Sequence, residues 1–134
     1  MFRALHNDAL GKLILRLSVA VLILFHGVSK LLNPGSLGWI SDMIAGYGLP
    51  AFLAYGVLIG EVIAPLMAII GWHTRLAGLL MAGNMLVAFL LVHTGEVFML
   101  TENGGWQLEL QGMFLFAALA VLFLGSGRIA LKPD

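Results

Sequence analysis

Four mostly apolar runs follow one another along the chain, at about residues 12–32, 51–71, 76–98 and 108–127. A helix of roughly 20 such residues crosses the hydrocarbon core of a bilayer. Asn33-Pro34, Gly48-Leu49-Pro50, the short Trp72–Arg75 turn and Asn103-Gly104-Gly105 separate the runs. Gly71 and the Gly125-Ser126-Gly127 cluster read as helix ends. The pattern predicts an all-α fold, an integral membrane four-helix bundle, as a single transmembrane domain over residues 1–134. The first run has the basic start of a signal peptide. It is too long for an h-region and lacks a small-x-small cleavage site, so it is expected to remain as the first span.

The connection between the first two runs is long and has a rhythm of its own. Leu37, Ile40, Ile44 and Tyr47 recur at helical spacing, Ser36 is placed to cap them, and Asp42 falls on the other face. This predicts a short amphipathic helix at the outer interface, either a lid over the bundle or a linker docked on its surface.

Composition strengthens the membrane reading. Of 134 residues, 60% are hydrophobic and 10% charged, with a mean hydropathy of +1.01. A soluble domain of this length could not hide that much apolar surface, so the lipid bilayer is the first partner. Formal net charge is zero, and no nucleic-acid partner is expected. The chain has no cysteine, which excludes disulfides, thiol redox chemistry and cysteine-ligated clusters.

Charge also orients the spans. Antiparallel connectivity puts Arg3, Lys12, Arg16, Arg75, Arg128 and Lys132 on one side, against Lys30 on the other. The positive-inside rule makes the first side cytoplasmic, together with both termini. Trp72 on that side, and Trp39 and Trp106 on the other, suit interfacial belts.

Against this background the stretch "LILFHGVSKLL" stands out, because His26 and Lys30 lie one helical turn apart in its apolar run. Glu61 lies near the middle of the second span, His93 and Glu96 end the third on the outer side, and Glu109 and Gln111 begin the fourth there. Ionisable groups at membrane depth face the interior and pair. The expectation is a polar pocket in the outer half of the bundle. Glu61, His26 and Lys30 are its candidate catalytic groups, and His26, Lys30, Glu61, His93, Glu109 and Gln111 its candidate substrate-binding set.

Each residue also has a structural reading. Lys30 can snorkel to the interface, and His26 can bond a carbonyl or Ser29. His93 and Glu96 can lie among headgroups. Glu109 suits the first turn of a helix, Gln111 can bond a neighbouring helix, and Glu61 can simply tie helices together. Pro65 has no N–H, so the Glu61 carbonyl loses its helical donor and a kink is expected. Asn84 reads as a bridge between helices, and Arg16 as an anchor at the cytoplasmic interface. The stripe Gly56-x3-Gly60-x3-Ala64 allows close helix approach, inside the bundle or in a homo-oligomer. His93-x2-Glu96 with His26 and Glu61 offers metal-ligating types, but a di-iron bundle wants two Glu-x2-His helices. No metal site is assigned.

The segments "RLSVAVLILFHGVSKLLNPGS", "LIGEVIAPLMAIIGWHTRLAGLLMAGNMLVA", "HTGEVF" and "GMFLFAALAVLFLGSGRIAL" together resemble the DoxX family of small bacterial membrane proteins. The most specific parts are the HG-x2-K of His26, Gly27 and Lys30, then Glu61, the G-x3-R of Gly71 and Arg75, and the closing Gly-Ser-Gly. The resemblance implies a four-helix membrane bundle in the bacterial inner membrane. Relatives include a subunit of thiosulfate:quinone oxidoreductase, and others are linked to membrane redox and oxidative-stress systems. Family membership does not by itself establish chemistry, and relatives that work through thiols are poor guides to a chain without cysteine.

Three functional readings compete. The first is a subunit of a quinone-linked oxidoreductase, with a quinone as the candidate cofactor. His26 and Lys30 would donate to its carbonyls, Glu61 or Glu109 would relay protons, and Phe25, Phe89 and Phe114 would supply apolar walls. The sequence carries no recognisable flavin, haem or iron–sulfur motif, so electrons would come from a membrane partner protein. The second is binding or transport of a small polar solute or of protons, which oligomerisation would help. The third is an assembly or structural subunit of a membrane complex, with the polar cluster as helix glue. Quinone titration, uptake into proteoliposomes and co-purification separate the three.

Overall fold

The computed structural model describes residues 5–91 and 98–134. Among them are five helices and no strand. Helix α1 is Asp8–Leu32, α2 is Pro34–Gly46, α3 is Ala51–Ile70, α4 is Thr74–Leu91 and α5 is Glu109–Leu124. The protein is therefore an all-α bundle of four longer helices with a short helix between the first two. Helices α1 and α3, of 25 and 20 residues, are long and apolar enough to cross a membrane, and α4 and α5 are shorter apolar helices.

The packing is that of a bundle in lipid. Small side chains fill much of the core: Ala20, Ala64, Ala68, Ala77 and Ala118 are fully buried, beside Ile23, Met81 and Val121. Most of the large apolar side chains point outward, among them Ile14, Leu22, Leu66, Leu86, Phe116 and Phe123. A water-soluble bundle would place them the other way round. Small residues inside let backbones approach, which drives helix association where the solvent is itself apolar. Gly78 of α4 shows this, since a Cβ there would meet the backbone of α5 at Leu122 N and Ala118 O, 2.8 and 2.9 Å away.

Several helix ends differ from the sequence reading, each for a local reason. Helix α1 begins at Asp8 because the Asn7 side chain accepts a bond from Leu10 N at 3.0 Å, and Lys12 pairs with Asp8 one turn on at 2.8 Å. Helix α2 starts at Pro34, which needs no helical donor. Ser36 thus lies inside the helix, and Asn33 occupies the cap position. Of the expected apolar face, Ile44 is buried and Tyr47 lies past the helix end, 61% exposed. The turn between α3 and α4 is tighter than Trp72–Arg75. Gly71 ends α3 at φ 77°, and α4 starts at Thr74.

The expected disturbance at Pro65 takes a definite form. Helix α3 begins with a tight 3₁₀ turn at Ala51–Tyr55. It then widens to a π turn over Ile59–Ile63, where Ala64 N donates back to Ile59 O, before resuming as α-helix. The π turn brackets Glu61. Such turns insert a residue into the helical repeat and shift the phase of everything beyond them.

One end of the bundle is closed by the C-terminal segment. The Arg16 guanidinium donates to Ser126 O at 2.7 Å and Ile129 O at 2.8 Å, and the residue is 2% exposed. Arg75 donates to Leu122 O and Phe123 O, which end α5, and to Asp134 O. Leu131 N and Lys132 N pair with Ile70 O and Gly71 O. Arg16 is therefore a buried tie between α1 and the tail rather than an interfacial anchor. The G-x3-R and Gly-Ser-Gly motifs are parts of the same closure.

Candidate functional site

The other end of the bundle holds the polar cluster. Glu61, inside the π turn of α3, is 4% exposed. The Lys30 ammonium of α1 donates to its Oε1 at 2.6 Å. Asn84 Nδ2 of α4 donates to Oε2 at 3.1 Å. Three helices thus converge on one carboxylate, and each oxygen has its own donor. An isolated charge at this depth is costly, and an ammonium plus an amide is the compensation it needs.

Two glycines make the convergence possible. A Cβ at Gly27 would run into the backbone carbonyl of Glu61, the carbonyl that Pro65 deprives of its donor. A Cβ at Gly60 would run into the Asn84 side chain. In HG-x2-K, the glycine therefore brings α1 against the π turn, and one turn later the lysine reaches the carboxylate. In the small-residue stripe, Gly60 and Ala64 are spent inside the bundle.

Two cavities meet at the pair. The larger, of about 790 Å³, is walled by α2, α3 and α4, with Trp39, Ile40, Ile44, Leu53, Val57 and Val87 among its apolar side chains. Its polar groups are Lys30, Glu61 and Asn84. The smaller, of about 120 Å³, is lined by His26, Lys30, Glu61, Met85, Ala88, Leu110, Gln111 and Phe114. Lys30, Glu61 and Ala88 belong to both, so the ion pair forms part of the wall between them.

The structure brings together Lys30, Glu61, His26 and Gln111 from the expected set. The His26 ring packs edge-on against Phe114 at 5.5 Å between centroids and lines the smaller cavity together with the pair. Glu109 is exposed and lines neither cavity. His93 and Glu96 lie outside the described residues. Of the expected aromatic walls, Phe114 lines the smaller cavity, while Phe25 faces outward at 66% exposure and Phe89 packs against Trp106. The large cavity uses Trp39 and aliphatic side chains instead. Asn84, read from the sequence as a helix bridge, does bridge helices, and it does so by holding the site carboxylate. Its signal was a lone amide at the depth of Glu61. Among the described residues, no cluster of three or more histidine or acidic side chains could hold a metal ion.

Fold and site together define a class: a small all-α membrane bundle with an ammonium–carboxylate pair in its wall. The DoxX family model matches residues 11–94, and the chain belongs to the DoxX family. The matched segment contains His26, Gly27, Lys30, Glu61 and Asn84. The chain is 29% identical over 124 residues to a Bacillus subtilis (strain 168) protein named "Putative oxidoreductase CatD", covering 92% of this chain and 86% of that protein. It is 30% identical over 125 residues to an uncharacterized protein of Haemophilus influenzae, covering 87% and 84% of the two chains. No solved structure matches.

Proposed function

We propose that this chain is the membrane-embedded subunit of a quinone-linked oxidoreductase. In this reading it sits in the bacterial inner membrane with four crossings and both termini cytoplasmic. The observation that carries the proposal is the large cavity, about 790 Å³ of apolar wall with an ammonium, an amide and a carboxylate at one place on it. Its volume lies in the roughly 300–1,000 Å³ range of small-molecule sites, and apolar walls with a few convergent polar groups are their usual construction. The name of the Bacillus relative supports redox chemistry.

The lining fits a quinone. Aliphatic side chains of α2, α3 and α4 suit its ring and tail, and the Lys30 and Asn84 N–H groups suit a carbonyl oxygen. A bound quinone would supply an electron acceptor that takes up protons as it is reduced. Lys30 orients the carbonyl and holds positive charge beside it. Glu61 stands within the same cluster to hold and pass a proton. Asn84 keeps the carboxylate in place, and the apolar walls keep water from the ring. Electrons come from a membrane partner protein.

Native mass spectrometry on protein released gently from membranes tests this reading. The expected result is a retained prenylquinone, displaced when Val57→Trp fills the large cavity. Protein that retains phospholipid but neither keeps nor takes up a prenylquinone would overturn it.

A further inference from the structure

The two cavities differ in chemistry, and the difference assigns them different cargo. The larger is apolar apart from the three groups clustered at Glu61. The smaller brings His26, Lys30, Glu61 and Gln111 around about 120 Å³. That is room for several waters at roughly 30 Å³ each, with the two to four polar partners a buried water needs. Its lining includes Leu110 and Gln111, in the first turn of α5, so it lies at the end of the bundle rather than at its middle. His26 is itself exposed while lining this cavity, so it stands between the outside of the bundle and the cavity that the pair also lines.

We infer that the smaller cavity is a water-filled proton path, and that His26 passes protons from the surface to Glu61, on the opposite side of the ion pair from the apolar cavity. A proton from water converts the His26 imidazole to imidazolium. The imidazolium gives that proton, through cavity water, to the Glu61 carboxylate, which becomes a carboxylic acid as the imidazole returns to neutral. No electron moves and no heavy-atom bond changes. Once protonated, Glu61 no longer holds the Lys30 ammonium as an ion pair. Lys30, which lines both cavities, is then free to favour the apolar side. Among the described residues, the titratable groups facing Glu61 are Lys30 and His26, both from α1. Helix α4 contributes Asn84 and α5 contributes Gln111, neither of them charged.

This inference deepens the quinone reading by giving its proton a route, yet its test needs no quinone. The protonation of Glu61 is followed by infrared spectroscopy after a pH jump on the purified protein, as the carboxylic acid band absent from Glu61→Gln. His26→Ala is expected to slow the band's appearance by roughly 100-fold, the low end of what a positioned acid–base group contributes. Added imidazole, which fits the vacated space, restores the rate. His26→Gln keeps bulk against Phe114 and is expected to be as slow as His26→Ala. Phe116→Leu, on the outward face of α5 and outside both cavities, leaves the rate unchanged. A wild-type rate in both His26 variants would overturn the proposal. So would a Phe116→Leu protein as slow as His26→Ala, because the slowing would then not be particular to His26. If prenylquinone binding fails while the His26 result holds, the path stands and the quinone reading falls.

Discussion

Arg16 and Glu61 are buried to nearly the same degree, 2% and 4% exposed, in the same bundle. Their surroundings differ in kind. Arg16 is held by main-chain carbonyls of a folded-back tail, Ser126 O and Ile129 O, and lines neither cavity. Glu61 is held by two side chains from two helices and lines both cavities. Backbone acceptors cannot move without unfolding the tail. Side-chain donors can rotate, exchange partners or change protonation. Burial alone therefore does not mark a functional charge. A buried charge whose partners are side chains, next to space a ligand can occupy, is the one equipped for chemistry.

This contrast predicts different mutational signatures, with the largest effect at the closed end. Arg16→Met leaves the buried Ser126 carbonyl and the partly buried Ile129 carbonyl without donors, at about 1–3 kcal/mol each, so a loss of about 4 kcal/mol is expected in thermal unfolding followed by tryptophan fluorescence. No second change at a charged residue should restore it, since both of its hydrogen-bond acceptors are main-chain carbonyls. Recovery by removing an acidic residue would break the comparison. Lys30→Met strands the Glu61 charge and should cost about 3 kcal/mol, because breaking one partner of a buried pair is costlier than losing the pair. Adding Glu61→Gln should recover most of that stability, a strongly non-additive cycle. Additive losses would mean that the two groups do not act as a pair.

Smaller effects refine the account. Asn84→Leu removes one donor from a carboxylate that keeps the other, and about 1.5 kcal/mol is expected, the low end for a bond to a charged group. The same melt checks it, and a neutral result would show that Lys30 alone holds Glu61. Glu109→Gln, exposed and outside both cavities, should change stability by less than about 0.5 kcal/mol. A prenylquinone retained as in wild type, seen by native mass spectrometry, would complete that expectation.

The order of helices, the short α2 and the meeting of Lys30 with Glu61 were legible because each rests on a local signal. Apolar run length sets the spans, Pro34 starts α2, and a mid-span acid beside a span with a lysine calls for a pair. The rotation of each helix was less legible. Phe25 and Phe89 share spans with site residues, yet they face away, because facing is decided by where Gly27 and Gly78 let backbones touch and Gly60 admits the Asn84 side chain. The π turn at Ile59–Ile63 adds to this by shifting the phase of α3 in a way no 3.6-residue periodicity anticipates. Arg16 was misplaced for a different reason. Its partners are carbonyls more than a hundred positions away, and main-chain acceptors leave no trace in residue type.

The most direct test of the central claim is a binding titration on the paired variant Lys30→Met/Glu61→Gln. Trp39 lines the large cavity, so a short-tailed quinone bound there should quench its fluorescence. The account predicts saturable quenching in wild type. In the double variant, which should melt like wild type, binding should be about tenfold weaker, the cost of roughly one charge-assisted hydrogen bond. A folded double variant that binds as tightly as wild type would contradict it and would leave the Lys30–Glu61 pair as a tie between helices.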